Sequence, residues 1–437
     1  MKKGLTIKET QDRLITPSGL LLVGALLMKT SLGKLLNKLG KPKEVKHQNA
    51  NCVIPYIGLL CQGKTEYDDI RELHADPSFC CQALHINTIP PEATLRQRMD
   101  YLGDDIASSN MVMEESVTML KNAGMEPTPA FTGHIPLDVD VSVHDNSQTK
   151  KEGVGHTYKG VDGYSPIYAY IGQEGYACNA ELREGVYHSQ CEGTVEFLED
   201  TLRLAKQFTS EKLLVRMDSG NDSLDNIKLF IKEKVDYIIK RNLRKESKDE
   251  WLKMAIMHGE RTDPRDGKTV YTGDVLCARD IPTPLRVVFE ITIRTMAANG
   301  QLLIEPKIDV ASWWTSLENP PEDIIRLYRE HATCEQFHSE IKSDIGLERF
   351  PSGKFDTNAA ILKLAILAYN ILRIVGQSFL GITVTRKNVK RLRAKTVIQR
   401  FMTIAGRVIE HARQTFLTLG RSNVWSGDFT RLYEAFG

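Results

Sequence analysis

The spacing of apolar residues changes near residue 135, and the new period limits the possible folds more than any other feature of the chain. "IPLDVDVSV" (135–143) alternates with period two, and "YSPIYAYIG" (164–172) and "ACNAELREG" (177–185) follow as further strands. The helix "GTVEFLEDTLRLAKQF" (193–208) comes next, with Val195, Leu198, Leu202 and Leu204 on its apolar side. A short buried strand, "LLVRMDSGN" (213–221), a helix, "DSLDNIKLFIKEK" (222–234), and a strand, "VDYIIKRN" (235–242), complete the run. Three strands, a helix, a strand, a helix and a strand predict an α/β fold, a mixed sheet with helical cover.

The flanking regions read differently. Residues 1–130 are expected to be helical, over 20–39, 53–62, 66–74, 92–103 and 109–124, broken by Pro and Gly. Within them "TIPPEATLRQRMDYL" starts a helix on prolines and carries Arg96 and Arg98, which makes the region a candidate for DNA-end binding. The first core segment spans 131–243. Turn- and strand-rich sequence over 244–312 is expected to be an insertion, and 313–380 to hold a polar helix and a long apolar one. The tail, 381–437, contains "RKNVKRLRAK", in which Arg386, Lys387, Lys390, Arg391, Arg393 and Lys395 are basic. Since 57 basic residues balance 56 acidic ones, any surface for a polyanion has to be local. Lys390, Arg391 and Arg393 are its best candidates in the tail.

Eight cysteines are scattered without a C-x-x-C pair, which argues against a zinc ribbon and for a reducing, cytoplasmic setting. The run "GLLLVGALLM" (19–28) has ten residues, too few to span a bilayer, so no membrane partner is expected.

The chemistry concentrates in "LYREHATCEQFHSEIKSD" (327–344). On a regular helix at about 100° per residue, Tyr328, His331, Glu335 and Lys342 fall within an arc of roughly 60°. A stripe of that kind usually belongs to Leu or Ile. Two other acids sit on strands: Asp140, on the first, sharing a face with Asp138 and Ser142, and Asp218, at a strand end before a Ser-Gly turn. A central strand, a neighbouring strand end and a covering helix can bring Asp140, Asp218 and Glu335 to one point. Three carboxylates there can hold two Mg²⁺ ions about 3.5–4 Å apart, the spacing used in phosphodiester displacement.

These segments resemble the DDE transposases of bacterial insertion sequences, most closely the insertion-sequence 1380 group. Tyr328, His331, Glu335 and Lys342 fit the signature Y-x2-R-x3-E-x6-K. "LDVDVS" is similar to the first-aspartate strand D-x-D-x-T, with Asp140 in the catalytic place, and "VRMDSGN" is similar to R-x-D-S-G-F. "LAYNI" fits the helix after the glutamate. The resemblance runs, with gaps, from about residue 15 to 420. It implies an RNase H-like core interrupted by a β-rich insertion, preceded by an α-helical N-terminal domain. It further implies an enzyme of cut-and-paste transposition: Mg²⁺-dependent nicking at terminal inverted repeats, with Mn²⁺ able to substitute, and 3′-hydroxyl attack on target DNA by a homodimer on the bacterial nucleoid. Tyr328, His331 and Lys342 would then grip DNA beside the metal-binding Asp140, Asp218 and Glu335. His331 departs from the signature arginine and offers one donor instead of a charged fork. That departure motivates a second reading, a non-catalytic DNA-binding relic; a structure-selective nuclease on the same core, without strand transfer, is a third.

Overall fold

The computed structural model describes residues 5–40, 47–187, 191–297, 299–383, 389–412 and 414–437. It divides into two units, one of residues 126–339 and the other of 1–125 with 340–437.

The unit of residues 126–339 is built on one nine-stranded sheet. Its strands are β1 (Ile135–Val141), β2 (Ile167–Ile171), β3 (Tyr176–Glu181), β4 (Leu213–Met217), β5 (Asp236–Lys240), β6 (Glu260–Arg265), β7 (Lys268–Cys277), β8 (Leu285–Met296) and β9 (Leu302–Thr315). Their order across the sheet is β6-β7-β8-β9-β5-β4-β1-β2-β3. β1 runs parallel to β4, and β4 to β5, while every other pairing is antiparallel. The helices Thr194–Phe208 and Leu224–Glu233 make the two crossovers that parallel neighbours require. This is the expected mixed sheet with helical cover. The four strands of the insertion extend it rather than standing apart, because β9 pairs with β5 through Trp313↔Lys240 and Trp314↔Ile239.

The polar helix expected within 313–380 is interrupted. An α-helix over Pro321–Glu330 tightens into a 3₁₀ turn at His331–Thr333, resumes over Cys334–Ser339 and widens into a π turn at Glu340–Asp344. Ile324, Ile325 and Leu327 anchor its first part in a core with Leu214, Ile238, Val288 and Trp313. The helix therefore has to lie on the sheet, but the changes of pitch spoil the even polar stripe.

In the other unit, the apolar sequence 358–376 lies in a 28-residue helix, Phe355–Ile382. It is long and apolar enough to cross a membrane, yet its most apolar stretch is wholly enclosed by protein. It packs against Glu92–Ser108 and Met111–Asn122. Gly103 permits that approach, since a Cβ there would meet the Thr357 nitrogen at 2.9 Å. Lys363, buried, donates to the carbonyls of Ala107 and Ser109 at 2.6 and 2.7 Å, which satisfies the end of the neighbouring helix. The expected helix over 20–39 is two helices, Leu20–Leu27 and Leu32–Lys38, bent by 73°.

Two expectations about basic residues change in this unit. Arg98 is buried and donates to Asn49 and to the His47 carbonyl, so it holds the helices together. Arg391 pairs at 2.6 Å with Glu340, a buried carboxylate also bound by Arg373 at 3.0 Å. Arg393 chelates Asp344 at 2.7 and 3.0 Å. Both arginines thus hold the π turn in place instead of standing free for phosphate. Lys390 is exposed, and Arg386 and Lys387 lie outside the described residues. The expected segment 313–380 is divided at Ser339/Glu340 between the two units.

Candidate active site

The site follows from one strand register. In the parallel pair β1·β4, Asp138 stands opposite Arg216. Side chains alternate along a strand, so the next pair on the same face is Asp140 with Asp218, one step beyond the last paired residues. Tyr170 and Tyr168 on β2 stand opposite Asp138 and Asp140 and complete that face.

The two aspartates of β1 have opposite fates. Asp138 is buried, and both its oxygens accept from Arg216, at 2.6 Å from Nε and 2.7 Å from Nη2. His331 Nδ1 donates to the same carboxylate at 3.0 Å. Burial alone favours the neutral acid, but the Arg216 charge, with the bond from His331, holds Asp138 below its ordinary range. Arg216 also donates to the Leu327 carbonyl at 2.7 Å, so the ion pair clasps the covering helix.

Asp140 is partly open. Its Oδ1 accepts from the Val141 backbone at 2.8 Å, and its Oδ2 lies 3.2 Å from His338 Nε2. Burial opposes ionisation, yet the His338 bond and charge, helped by His331, keep its carboxyl low. Asp218 moves the other way. Burial, and then the Asp140 charge, raise it against the hydrogen bonds from Asn221 at 2.7 Å and the Gly220 backbone at 3.1 Å. An ionised Asp140 beside a disfavoured Asp218 is a like-charge pair that a cation would relieve.

Glu335 is exposed and makes no hydrogen bond or ion pair among the described residues. It follows Cys334 on the helix that brings His331 to Asp138 and His338 to Asp140. Tyr328 lies between the Trp313 and His331 rings, 5.6 and 5.7 Å away, and burial and then the Asp218 and Asp140 charges raise its hydroxyl. Lys342 lies in the other unit, 4.0 Å from Glu348.

The structure departs from sequence reasoning most clearly at His331, which is interior and bound to Asp138 instead of facing outward as a phosphate grip. Trp313 and Trp314 are also buried, with Trp314 Nε1 donating to Asp222 at 2.8 Å. His338, Tyr170 and Tyr158 escaped the sequence reading. Tyr158, though largely exposed, donates to the Val141 carbonyl at 3.3 Å. One signal was available, an R-x-D strand beside a D-x-D strand, which pairs arginine with the first aspartate and leaves the second two acids together.

Among the described residues, the one metal-like set with donor atoms within 4.8 Å of one another is Asp138, His331 and Cys334. A cation there would have to displace the Arg216 guanidinium from both Asp138 oxygens, which argues against it. Asp140, Asp218 and Glu335 form no set that tight, but they offer hard oxygen donors and an unrelieved like-charge pair. That chemistry fits Mg²⁺ or Mn²⁺.

Asp218 also yields a pH-dependent expectation. A carboxyl raised by folding costs stability once ionised. The cost sets in above the usual carboxylate range and is complete above the raised value. Asp218→Asn is therefore expected to raise the thermal midpoint in chelator at pH 7 more than at pH 4. Equal shifts at both pH values would show that the Asp218 charge is not under repulsion.

A mixed sheet that brings an aspartate near the end of one strand beside another just past the end of its parallel neighbour is the frame on which the comparisons bear. The model of the family described as "Transposase DDE domain group 1" matches residues 2–436, and the chain belongs to that family. It is a transposase. No curated protein that was compared matches the chain. Among solved structures, the piggyBac transposase synaptic complex with hairpin DNA is similar, at 12% identity and a TM-score of 0.42. That match covers 88% of this chain and 79% of the other.

Proposed function

We propose that this transposase cuts DNA at the terminal inverted repeats of an insertion sequence and joins the freed 3′ ends to target DNA. The observation that carries the reading is the placement of Asp140 and Asp218 one step beyond the last paired residues of two neighbouring strands, close enough for the Asp140 charge to raise Asp218, beside a helix that leaves Glu335 exposed. Two Mg²⁺ ions held by these three carboxylates, or Mn²⁺ in their place, would activate the attacking oxygen and stabilise the leaving one. The protein's own part is to keep Asp140 ionised, to reserve Asp138 for Arg216 and to seat the helix on the sheet.

Local charge supports a DNA partner despite the near-zero net charge. Next to the turn after Asp218, a cavity of about 360 Å³ is lined by Arg241, Arg244, Arg279 and Trp314, together with Asp222 and Glu246; Arg241 is buried and bound to Glu246 at 2.6 Å, so Arg244 and Arg279 are the charges a phosphate would meet there. Cutting two element ends and inserting them together calls for two such sites, which a homodimer would supply. All eight cysteines are free, in keeping with the bacterial cytoplasm. The non-catalytic reading loses its motive, since His331 serves Asp138 and all three acids are present.

The test is incubation with labelled end duplex, Mg²⁺ and target DNA. Nicked and joined products are expected. Cleavage without joining would leave a nuclease, and binding alone a relic.

A further inference from the structure

We infer that His338 is a positioning residue for the cation site, fixing the Asp140 carboxylate and tying it to the helix that carries Glu335. The inference rests on the reading of Asp140 as a cation ligand. His338 is buried, and both its ring nitrogens are engaged: Nε2 lies 3.2 Å from Asp140 Oδ2, and Nδ1 lies 3.1 Å from Tyr170 Oη. The Tyr168 and Tyr170 rings pack against it, with centroids 5.1 and 5.4 Å away. These two tyrosines are the residues that β2 places opposite Asp140 and Asp138. The imidazole is thus held in one orientation by the strand next to the one it serves.

The consequence falls on Asp140. Val141 anchors one oxygen and His338 the other, so the carboxylate cannot rotate, while each oxygen keeps a lone pair for a cation. His338 lies three positions after Glu335, so they are neighbours on one short helix. The Asp140–His338 bond therefore also sets where Glu335 stands relative to the strand. Partners that orient a metal ligand in this way typically change metal affinity by about 10–100-fold when removed.

The experiment is Mn²⁺ binding to the full chain without DNA, followed by electron paramagnetic resonance, with thermal midpoints taken in chelator. Asp140→Asn is expected to abolish the high-affinity signal. His338→Ala should weaken it about 10–100-fold. His338→Gln, whose amide can donate to Asp140 and accept from Tyr170, should restore most of the affinity, and Tyr170→Phe should fall between. A purely structural role would make the affinities follow the midpoints, and would not distinguish Gln from Ala at equal stability. A folded His338→Ala variant with wild-type affinity, or a Gln variant as weak as Ala, overturns the inference alone. If His338→Ala does not fold, wild-type affinity in Tyr170→Phe overturns it. Unchanged binding in Asp140→Asn overturns the cation reading first, and the inference with it.

Discussion

Asp140→Asn is expected to lower end cleavage by at least about 10³-fold, comparable to losing a principal charge-stabilising group in phosphoryl transfer. The substitution is nearly isosteric. An amide oxygen still accepts from the Val141 backbone or from His338, so the fold should stand and the thermal midpoint should stay within a few degrees. What disappears is the negative charge that, opposite Asp218, creates demand for a cation. Cleavage of a labelled end duplex at saturating Mg²⁺ and the midpoint of the same preparation decide the matter. Retained cleavage in a folded variant would remove Asp140 from the chemistry and reopen the choice of acid on β1.

Asp138→Ala should fail differently, through stability. It strands the Arg216 guanidinium in the interior with neither carboxylate oxygen, and it leaves His331 without its acceptor. Removing one partner of a buried ion pair typically costs about 3–5 kcal/mol. A denaturant midpoint lowered without a change in slope is the expected readout. His331→Arg should destabilise for a related reason, since it would place a second permanent cation beside Arg216 over a single carboxylate. If His331→Arg instead raised end cleavage at an unchanged midpoint, the position would belong to DNA after all. If Asp138→Ala proved as stable as the wild type, the clasp between sheet and helix would be dispensable.

Much of the architecture was legible because it is written in local periods. Alternation over 135–143 and 164–172, and the helical repeat over 193–208, depend only on neighbouring residues, so the strands and crossovers of the core fall where expected. The place of the insertion was harder to read. Nothing in the sequence says that β9 continues the sheet at β5, because strand pairing is chosen by edges that meet only after folding.

The candidate acids and their neighbours divide along the same line. By itself the sequence determined the elements and the acidic positions: an aspartate on the first strand, another at the end of the fourth, and a glutamate on a late helix. Only the tertiary structure decided which aspartate of β1 is committed to a buried ion pair and which stays partly open. Asp138 and Asp140 share a face and a composition, and the choice between them comes from Arg216 on the adjacent strand, 78 residues away. Helical spacing aligned His331 with Glu335, but the 3₁₀ turn at 331–333 directs the imidazole to Asp138 and leaves the glutamate exposed. His338 matched no sequence motif, and it matters because folding places it between Tyr170 and Asp140. Periodicity reports which side of an element a residue occupies, whereas charge pairing across strands depends on register and burial, which only the folded chain possesses.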